Sequence, residues 1–347
     1  MDSAIAPHLQ CPRSNPARTP ENHVPAYPGW SARLDKTVGR VVFANFGIQW
    51  LAPEDEVPAL GYVRDIVKKM AHPSGADQFD IARYKDEAGF DNLVVLSYWL
   101  DPSKYKAWRD EVELSLQIEA THLGRFEEVL TPLVDRVETL YSAPEALAGL
   151  GKTTKELSGE IIEHAYWGSA RDRLPISQTD ALTPSGKIEF QKIGSDGNVI
   201  RVGGHENVAV IRSGQNWSDT SGEERNLYLQ NIEPTLQAGM NYLRDNGAPI
   251  GCYFNRYMRL VDLDGRIEEK SFGWSYWHSL SEMEEWAESH KTHLDIFNAF
   301  NDVVVQLNFN LDLKLSHEIY VVGADEQAYT YYNCHSQTGF LKLTCAK

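Results

Sequence analysis

The stretch Trp286-Ala-Glu-Ser-His290-Lys-Thr-His293-Leu-Asp-Ile-Phe-Asn-Ala-Phe300 predicts a helix with a histidine near its start. Thr292 is followed three residues later by Asp295, and this capping-box spacing predicts that the helix begins there, with His293 in its first turn. The helical period then places one histidine and three apolar side chains on a single face: His293, Ile296, Phe297 and Phe300.

A histidine at this place in a helix has the chemistry of a metal ligand. The positive end of the helix dipole favours neutral imidazole, which is the form that binds metals. A second histidine, His317, follows in Leu315-Ser-His-Glu-Ile-Tyr-Val-Val322, whose β-branched and aromatic residues predict a strand. The simpler interpretation is that His293 is a core residue packed beside apolar neighbours, and periodicity does not separate the two interpretations.

The composition describes a globular, strongly acidic chain of 347 residues. Hydrophobic residues make up 42% and charged residues 24%, and 33 basic against 49 acidic side chains give a net charge of −16. Such a surface repels phosphate backbones and anionic lipids, so we expect neither a nucleic-acid nor a membrane partner. The four cysteines are scattered, which favours reduced thiols and a cytoplasmic location, and no apolar stretch is long enough to span a bilayer.

Prolines divide the N-terminal part of the chain from the rest. Six of them fall within the first 28 residues and predict an extended arm, which we bound at residues 1–35. Residues 36–150 then show the order strand, helix, strand, strand, helix, strand of a ferredoxin-like unit. The predicted elements are a strand Val38–Trp50, a helix Asp55–Met70, strands Phe79–Lys85 and Asn92–Trp99, a helix from Asp101-Pro102 towards Ile118, and a closing strand Arg136–Tyr141.

Residues 205–347 repeat this order after a connecting region, residues 151–204. The predicted elements are a strand Asn207–Trp217, a helix capped by Thr220 and Glu223, strands Cys252–Asp262 and Lys270–Trp277, a helix capped by Ser279 and Glu282, the helix of His293, and a closing strand His317–Val322. The sequence therefore predicts an α+β fold of two ferredoxin-like halves, which can close a sheet and leave a cleft between the sheet and the helices.

A repeated tripeptide links the two halves. Ser97-Tyr98-Trp99 is followed nine residues later by Trp108, and Ser275-Tyr276-Trp277 is followed nine residues later by Trp286. Chance among 16 tyrosines and 9 tryptophans is the alternative. Because both copies fall at the same strand-to-helix junction, the match favours duplication of one supersecondary unit.

Two further polar features lie outside the histidine stretch. Arg171-Asp172-Arg173 stands in an aromatic loop punctuated by glycine and proline, which suits either a site that orients a polar group or a structural ion-pair loop. Ser213 precedes Gly214 at the end of a predicted strand, but the first glycine of a Gly-x-Ser-x-Gly nucleophile elbow is absent. We therefore interpret Ser213 as a hydrogen-bonding group rather than a nucleophile.

Seven segments carry a resemblance to a known family: Glu160-Ile-Ile-Glu-His164, Tyr166-Trp-Gly-Ser-Ala-Arg-Asp-Arg173, Ser177-Gln-Thr-Asp180, Gly204-His-Glu-Asn207, Ile211-Arg-Ser-Gly-Gln215, Trp286-Ala-Glu-Ser-His-Lys-Thr-His293 and Tyr331-Tyr-Asn-Cys-His335. Together they resemble the aldoxime dehydratases, the haem-containing dehydratase family. The resemblance extends from Cys11-Pro-Arg13 over nearly the whole chain, and it implies a homodimeric α+β barrel of ferredoxin-like halves that holds haem b. Its members convert an aldoxime, R–CH=N–OH, into a nitrile and water.

The resemblance also implies roles for five residues. His293 matches the proximal ligand of the haem iron, and His317 matches the distal acid–base histidine. Ser213 matches the serine that hydrogen-bonds the oxime hydroxyl, Arg173 the distal arginine and Glu138 the distal-side glutamate. In this scheme the oxime nitrogen binds ferrous haem. The histidine protonates the hydroxyl as the N–O bond breaks, because hydroxide is a poor leaving group.

Two other functions stay open at the level of the sequence. A mononuclear metal hydrolase could use His290, His293 and His317, although His-x-x-His is a weaker match than the His-Glu-x-x-His of zincins. A haem-binding sensor or carrier would bind the same cofactor without turnover. A Soret band excludes the hydrolase, and nitrile formation under reducing conditions excludes the carrier.

Overall fold

A computed structural model describes residues 1–112, 122–193 and 198–344, which form an α+β fold on one 12-stranded antiparallel sheet. No helix in these residues is long and apolar enough to cross a membrane. The strands are β1 Ala32–Arg33, β2 Val42–Trp50, β3 Gln78–Lys85, β4 Asp91–Trp99, β5 Gly124–Leu130, β6 Val137–Tyr141, β7 Glu156–Leu157, β8 Glu189–Ile193, β9 Val199–Gly203, β10 Val208–Asn216, β11 Cys252–Val261, β12 Ile267–Trp277, β13 Lys314–Val322 and β14 Gln327–Tyr332. The α-helices are α1 Glu56–Met70, α2 Pro102–Val112, α3 Ser169–Arg173, α4 Gly222–Leu227, α5 Glu233–Asn246, α6 Leu280–Ser289 and α7 Lys291–Gln306.

The large sheet runs in the order β6-β13-β10-β12-β11-β3-β4-β2-β5-β14-β9-β8, and β1 pairs separately with β7. Within the described residues its outer strands β6 and β8 do not pair, so the sheet is not a closed barrel and the expectation of closure is wrong. The reason is that additional strands extend both edges. β6 lies outside β13, and β14, β9 and β8 lie outside β5.

Strands β2–β5 and strands β10–β13 have the same arrangement. In each set the first strand pairs with the third and the fourth, and the second strand pairs with the third. The two sets meet through two residue pairs between β11 and β3. Their inner faces pack together, with Phe43 on β2 stacked on Trp274 on β12 at a centroid distance of 4.4 Å. α1 and α2 cover the outer face of the first set, and α5 and α6 cover that of the second.

The strand that closes the first set is β5, so the prediction that Arg136–Tyr141 closes it is wrong. β6, which occupies that segment, pairs with β13 at the edge of the second set. β5 is hard to identify from sequence because its Glu128 is fully buried, held by two hydrogen bonds from Arg256 of 2.6 and 2.7 Å. A buried carboxylate interrupts the alternation by which strands are identified.

α7 begins one residue before the predicted capping residue. Its first residue is Lys291, and the residue that caps it is His290, whose Nδ1 accepts a hydrogen bond from the Thr292 backbone N–H at 3.3 Å. The capping-box assignment to Thr292 is therefore wrong, because the imidazole of His290 already satisfies the free N–H of the first turn. His293 nevertheless lies in that first turn, as predicted.

Of the other two predicted helix caps, one is confirmed and one is wrong. Ser279 caps α6 as predicted, accepting a hydrogen bond from the Glu282 N–H at 3.2 Å. Thr220 does not cap α4, because its hydroxyl binds the Trp217 carbonyl at 2.8 Å. The helix predicted towards Ile118 is α2, and the part of that prediction beyond residue 112 lies outside the described residues.

The repeated tripeptide leads to the same packing in both sets. Trp99 at the end of β4 contacts Trp108 on α2 at a centroid distance of 5.3 Å and an interplanar angle of 50°. Trp277 at the end of β12 contacts Trp286 on α6 at 5.7 Å and 41°. Each pair joins a strand to the helix that follows it.

A buried polar network supports β10 and β13 from the inner face of the sheet. Arg212 on β10 donates hydrogen bonds of 2.7 Å to Asp80 and to the Tyr98 hydroxyl. Tyr98 in turn donates to Glu318 on β13 at 2.5 Å. Because strand side chains alternate, the residues next to Arg212 and Glu318 in the chain point to the outer face. Those residues are the predicted site serine and histidine.

We expect Asp80→Asn to lower the stability of the fold and to make that stability less dependent on acidic pH. Burial opposes the charged form, but Arg212 and Lys152 lower the pKa of Asp80 from 3.8 to about 2. The folded pKa is the lower one, so the stabilisation, about 2 kcal/mol, is present above about pH 4 and lost as pH falls towards 2. At neutral pH the free energy of unfolding of the variant should be about 3–5 kcal/mol lower than that of wild type, because Arg212 keeps a buried charge without its main partner.

Urea unfolding as a function of pH measures both effects. The difference in the free energy of unfolding between wild type and Asp80→Asn should become smaller as pH falls below about 4. Asp264→Asn, which breaks an exposed ion pair with Arg64 (56% and 50% exposed), serves as the control and should change stability little. A gap that stays constant across this pH range would contradict the prediction.

Candidate functional site

Ser213 and His317 lie directly opposite each other on neighbouring strands. They are Cα partners in the antiparallel pairing of β10 with β13, so their side chains share one face, with Cβ atoms about 5 Å apart. Both are partly exposed, with 25% of the His317 side chain accessible. The Ser213 hydroxyl makes no hydrogen bond within the described part of the chain, so it is available to a ligand.

Glu138 and Arg173 complete a polar cluster with these two residues. Glu138 lies on β6, two positions from the cross-strand partner of His317, and therefore points to the same face. His317 Nε2 is 3.2 Å from Glu138 Oε1 and 2.5 Å from Arg173 Nη2. Arg173 Nε donates to Glu138 Oε2 at 2.6 Å, and these two side chains are 1% and 0% exposed. We call Glu138, Arg173, Ser213 and His317 the polar cluster.

The ion pair within the polar cluster favours the charged form of Glu138. Burial disfavours a charged carboxyl, but Arg173 and then His317 hold the pKa of Glu138 below its usual value. Arg173 has further partners, because its Nη1 donates to the Glu163 carbonyl at 2.7 Å and to Ser169 Oγ at 3.2 Å. Ser169 and Arg173 stand four residues apart on α3, the spacing at which helix side chains meet.

The two contacts of His317 Nε2 suit different protonation states of the ring. A guanidinium only donates hydrogen bonds, so Arg173 pairs with an unprotonated Nε2. A carboxylate only accepts, so Glu138 pairs with a protonated Nε2. His317 Nδ1 makes no hydrogen bond to the described residues, and it is the ring nitrogen available to a substrate.

α7 crosses over the polar cluster. On the outer face of the sheet, Ile319 belongs to one apolar cluster and Leu315 packs against another, with His317 between them. α7 contributes to both clusters, Ile296 to the first and Val303 to the second. The segment of α7 between these residues therefore lies above the stretch of sheet that carries His317.

The apolar face of α7 is unusually open for a packed helix. Among its residues only Val303 is buried, and Phe297 is 42% exposed. Trp167 of the connecting region packs on Phe297 at a centroid distance of 5.2 Å and is itself 37% exposed. These aromatic rings border an apolar surface that suits a flat, apolar ligand.

His293 stands at the head of this surface. Its ring lies edge-on to Trp286 at 4.8 Å and to Trp167 at 5.8 Å. Burial lowers the pKa of His293, which keeps the imidazole neutral. The backbone carbonyl of Ala287 opposes this shift, but neither ring nitrogen makes a hydrogen bond of good geometry to the described residues. A neutral imidazole with a free nitrogen can bind a metal.

The structure thus brings four of the five predicted residues into one cluster and places the fifth, His293, on the helix above. The prediction did not single out Ser169, although its spacing from Arg173 signals the contact. It also missed Tyr27, which is 49% exposed. Burial raises the pKa of Tyr27, although nearby Arg173 opposes the shift. Only the fold brings the arm to this site, so no local pattern identifies Tyr27.

The two arginines of the connecting loop have different partners. Arg173 joins the polar cluster, whereas Arg171 forms a structural ion pair with Glu284 on α6 at 2.7 Å. Within the described residues, no group of three or more histidine, cysteine, aspartate or glutamate side chains could hold a metal ion. The hydrolase alternative has no metal centre there, and His290 acts as a helix cap instead.

A cleft of about 360 Å³ lies elsewhere, between β3, α5 and β11. Its lining includes Arg83, Met240 and Asn255, and none of the five predicted residues lines it. We assign the candidate site to the polar cluster rather than to this larger cleft, because only the cluster combines a free serine hydroxyl with a histidine placed for proton transfer.

Known proteins share both the sequence and the fold. The haem-containing dehydratase family matches residues 44–340. The chain is 43% identical to an aliphatic aldoxime dehydratase of Pseudomonas chlororaphis over 99% of this chain and 98% of the relative. It is 31% identical to a phenylacetaldoxime dehydratase of Bacillus sp. (strain OxB-1) over 93% of each chain.

Solved structures agree with the sequence matches. The crystal structure of an aldoxime dehydratase in complex with butyraldoxime has a TM-score of 0.93 and 42% identity, covering 99% of this chain and 96% of that one. With a family match over most of its length and relatives that align almost end to end, this chain belongs to the haem-containing dehydratases.

Proposed function

We propose that this protein is a haem-dependent aldoxime dehydratase, a lyase that converts R–CH=N–OH into a nitrile and water. The observation that carries the proposal is the contact of His317 Nε2 with both Arg173 and Glu138, directly opposite Ser213. Histidine is the side chain that both donates and accepts protons near neutral pH. The names of the relatives, which act on aliphatic aldoximes and phenylacetaldoxime, support the substrate class.

Haem is the cofactor of the family, and the residues of α7 fit it. His293 would hold the iron through Nε2, and the apolar face around Phe297 would lie against the macrocycle. Cys334-His335 matches the end of the Cys-x-x-Cys-His motif that attaches haem covalently. Tyr331 stands in place of its first cysteine, so the haem is of the b type, held without thioether bonds. The chemistry that a ferrous haem supplies when bound is coordination of the oxime nitrogen, which weakens the N–O bond.

His317 handles the protons of the dehydration. The N–O and C–H bonds break, one proton joins the departing hydroxyl to form water, and one leaves the carbon that becomes the nitrile. The imidazolium donates from Nδ1 to the hydroxyl while its Nε2–H is held by Glu138. Nδ1 of the resulting neutral ring then accepts the proton from carbon. One side chain therefore serves as acid and as base, with no net proton exchanged.

Ser213 and Arg173 orient the reacting groups. The free hydroxyl of Ser213 stands across the strand pair from His317 and can hold the oxime hydroxyl beside the imidazole. Arg173 contacts Nε2 of the histidine when that nitrogen is unprotonated, and it holds Glu138, which takes the Nε2–H during the proton transfers, so the two side chains together limit rotation of the ring. Such preorganisation places the acid within reach of the leaving oxygen before the N–O bond breaks.

The same proposal includes a finer architecture. Residues 36–150 and 205–347 are ferredoxin-like halves joined by residues 151–204, with residues 1–35 as an arm. The common strand order and the equivalent tryptophan pairs support this division. The family resemblance supports a homodimer. The described cysteines are free thiols, which is in keeping with a cytoplasmic location.

His293→Ala should yield folded protein that lacks haem, because the iron loses the imidazole that holds it. The Soret absorbance per protein measures the loss, and circular dichroism confirms folding. His290→Ala is the matched control. It removes a helix cap, worth typically about 1 kcal/mol, but no iron ligand, so it should retain haem. Full haem content in His293→Ala would assign the iron to another residue.

Ser213→Ala should keep haem and lose rate by roughly 10²–10³-fold, the effect typical of one positioned hydrogen-bond donor. Steady-state assays of nitrile formation measure the change. Ser316→Ala is the matched control. Its side chain lies on the same strand pair but on the opposite face from the polar cluster, and its rate should match that of wild type. Equal rates for both variants would remove Ser213 from the mechanism.

His317→Ala tests the proposed function itself. Reduced wild-type protein should convert butyraldoxime to the nitrile, detected by gas chromatography. The variant should retain its Soret band and still bind the aldoxime, yet lose about 10²–10⁴ in rate because no general acid reaches the hydroxyl. His72→Ala, an exposed histidine (42%), is the control and should remain active. Loss of haem in His317→Ala, or a wild-type rate, would refute the assignment.

A further inference from the structure

Asp172 is a buried carboxylate that binds the N-terminal arm. The residue is 1% exposed, and its oxygens accept hydrogen bonds from the Arg18 backbone N–H at 2.9 and 3.1 Å. The hydroxyls of Thr19 and Tyr166 donate to the same carboxylate at 3.2 and 2.8 Å. The Arg13 guanidinium lies 3.9 Å from the carboxylate and donates to the Asp172 backbone carbonyl at 3.0 Å. We call these contacts the arm clasp.

The arm clasp binds α3, a helix that is too short to be stable by itself. α3 has five residues, fewer than an isolated helix needs for stability, so tertiary contacts must fix it. Its three successive charged side chains reach three different parts of the fold. Arg171 binds Glu284 on α6, Asp172 binds the arm, and Arg173 enters the polar cluster.

Arg173 follows Asp172 directly in the chain. A shift of the α3 backbone at Asp172 therefore moves the base of the Arg173 side chain, whose Nη2 lies 2.5 Å from His317 Nε2. The arm is anchored on this loop at a second point as well, because His23 contacts the His164 backbone carbonyl through Nε2 at 2.8 Å. The arm thus holds this loop at two places, within α3 at Asp172 and before α3 at His164.

We propose that the N-terminal arm is a positioning element of the active site, which acts through Asp172 to set Arg173 against His317. The proposal rests on the proposed function for its kinetic consequences. Neither Asp172 nor the arm residues that bind it belong to the polar cluster. They hold the arginine that orients the acid–base histidine, and small displacements of such groups are costly to rate.

Asp172→Asn is the primary test. The amide keeps the shape of the side chain, but it offers one acceptor oxygen in place of two and turns an N–H₂ group towards the Arg18 N–H. We expect kcat for butyraldoxime to fall roughly 10- to 100-fold, with haem content and spectral binding of the aldoxime unchanged. Glu288→Gln is the matched control, since it weakens the exposed ion pair between Glu288 on α6 and Arg18 of the arm (40% and 39% exposed) and should leave kcat unchanged.

A double-mutant cycle separates positioning from general destabilisation. If Asp172 acts through Arg173, Asp172→Asn should cost little further rate in an Arg173→Lys background. Losses that multiply in the double variant would overturn the proposal. Should Asp172→Asn fail to fold, Thr19→Val removes one contact of the clasp, and it should lower kcat less but in the same direction while retaining haem. A Thr19→Val variant with wild-type kcat would also overturn it.

Hydrogen exchange gives a readout that does not depend on turnover. The backbone amides of residues 169–173 should exchange faster in Asp172→Asn than in wild type, and those of α7 should not change. If wild type forms no nitrile, the proposed function fails while this comparison still tests the clasp. Unchanged exchange in residues 169–173 would overturn the proposal even if the protein is an active dehydratase.

Discussion

The geometry of the candidate site depends on the buried ion pair between Arg173 and Glu138. Removing two charges from water costs several kcal/mol per ion, so such a pair persists only where further hydrogen bonds satisfy it. Arg173 finds them in the Glu163 carbonyl, Ser169 and His317. These partners come from a loop, α3 and β13, so satisfying one guanidinium fixes the relative positions of three parts of the fold. The orientation of the imidazole is a consequence of that requirement.

The inner face of the same strands carries a second set of buried charges, and the two sets share a backbone. Arg212 and Glu318 alternate with the site residues along β10 and β13, and Tyr98 bridges them. Burial raises the pKa of Glu318, although Arg212, Tyr98 and the Leu150 N–H oppose the shift. A polar site held by such a support moves little, because a displacement on one face disturbs hydrogen bonds on the other. Catalytic groups need this precision, which a purely apolar core supplies less well.

Sequence patterns identified what is local. The tryptophan spacing located equivalent junctions in both halves, and helical periodicity placed His293 on α7 in its first turn. The sequence patterns failed where a residue or strand far away in the chain determines the structure of a segment. β5 contains a carboxylate that is tolerated in the core because Arg256 and Tyr331 bind it, and β6 pairs with a strand from the far end of the chain. The family motifs supplied the site residues, but the opposition of Ser213 and His317 follows from strand register, which no local signal encodes.

The strand sets β2–β5 and β10–β13 share one register but place different residues at equivalent positions. When their third strands are aligned on the tryptophan that closes each, Phe46 occupies the position of Ser213, and Glu127 that of His317. Phe46 is fully buried and packs on Trp108 at 5.4 Å, so in the first half this position is core. In β10–β13 a small polar residue and a histidine stand there instead, and both stay partly exposed. A large aromatic side chain at that position fills a core, whereas the serine belongs to the candidate site. The proposed chemistry therefore resides in a few side chains on a frame whose stability is supplied elsewhere.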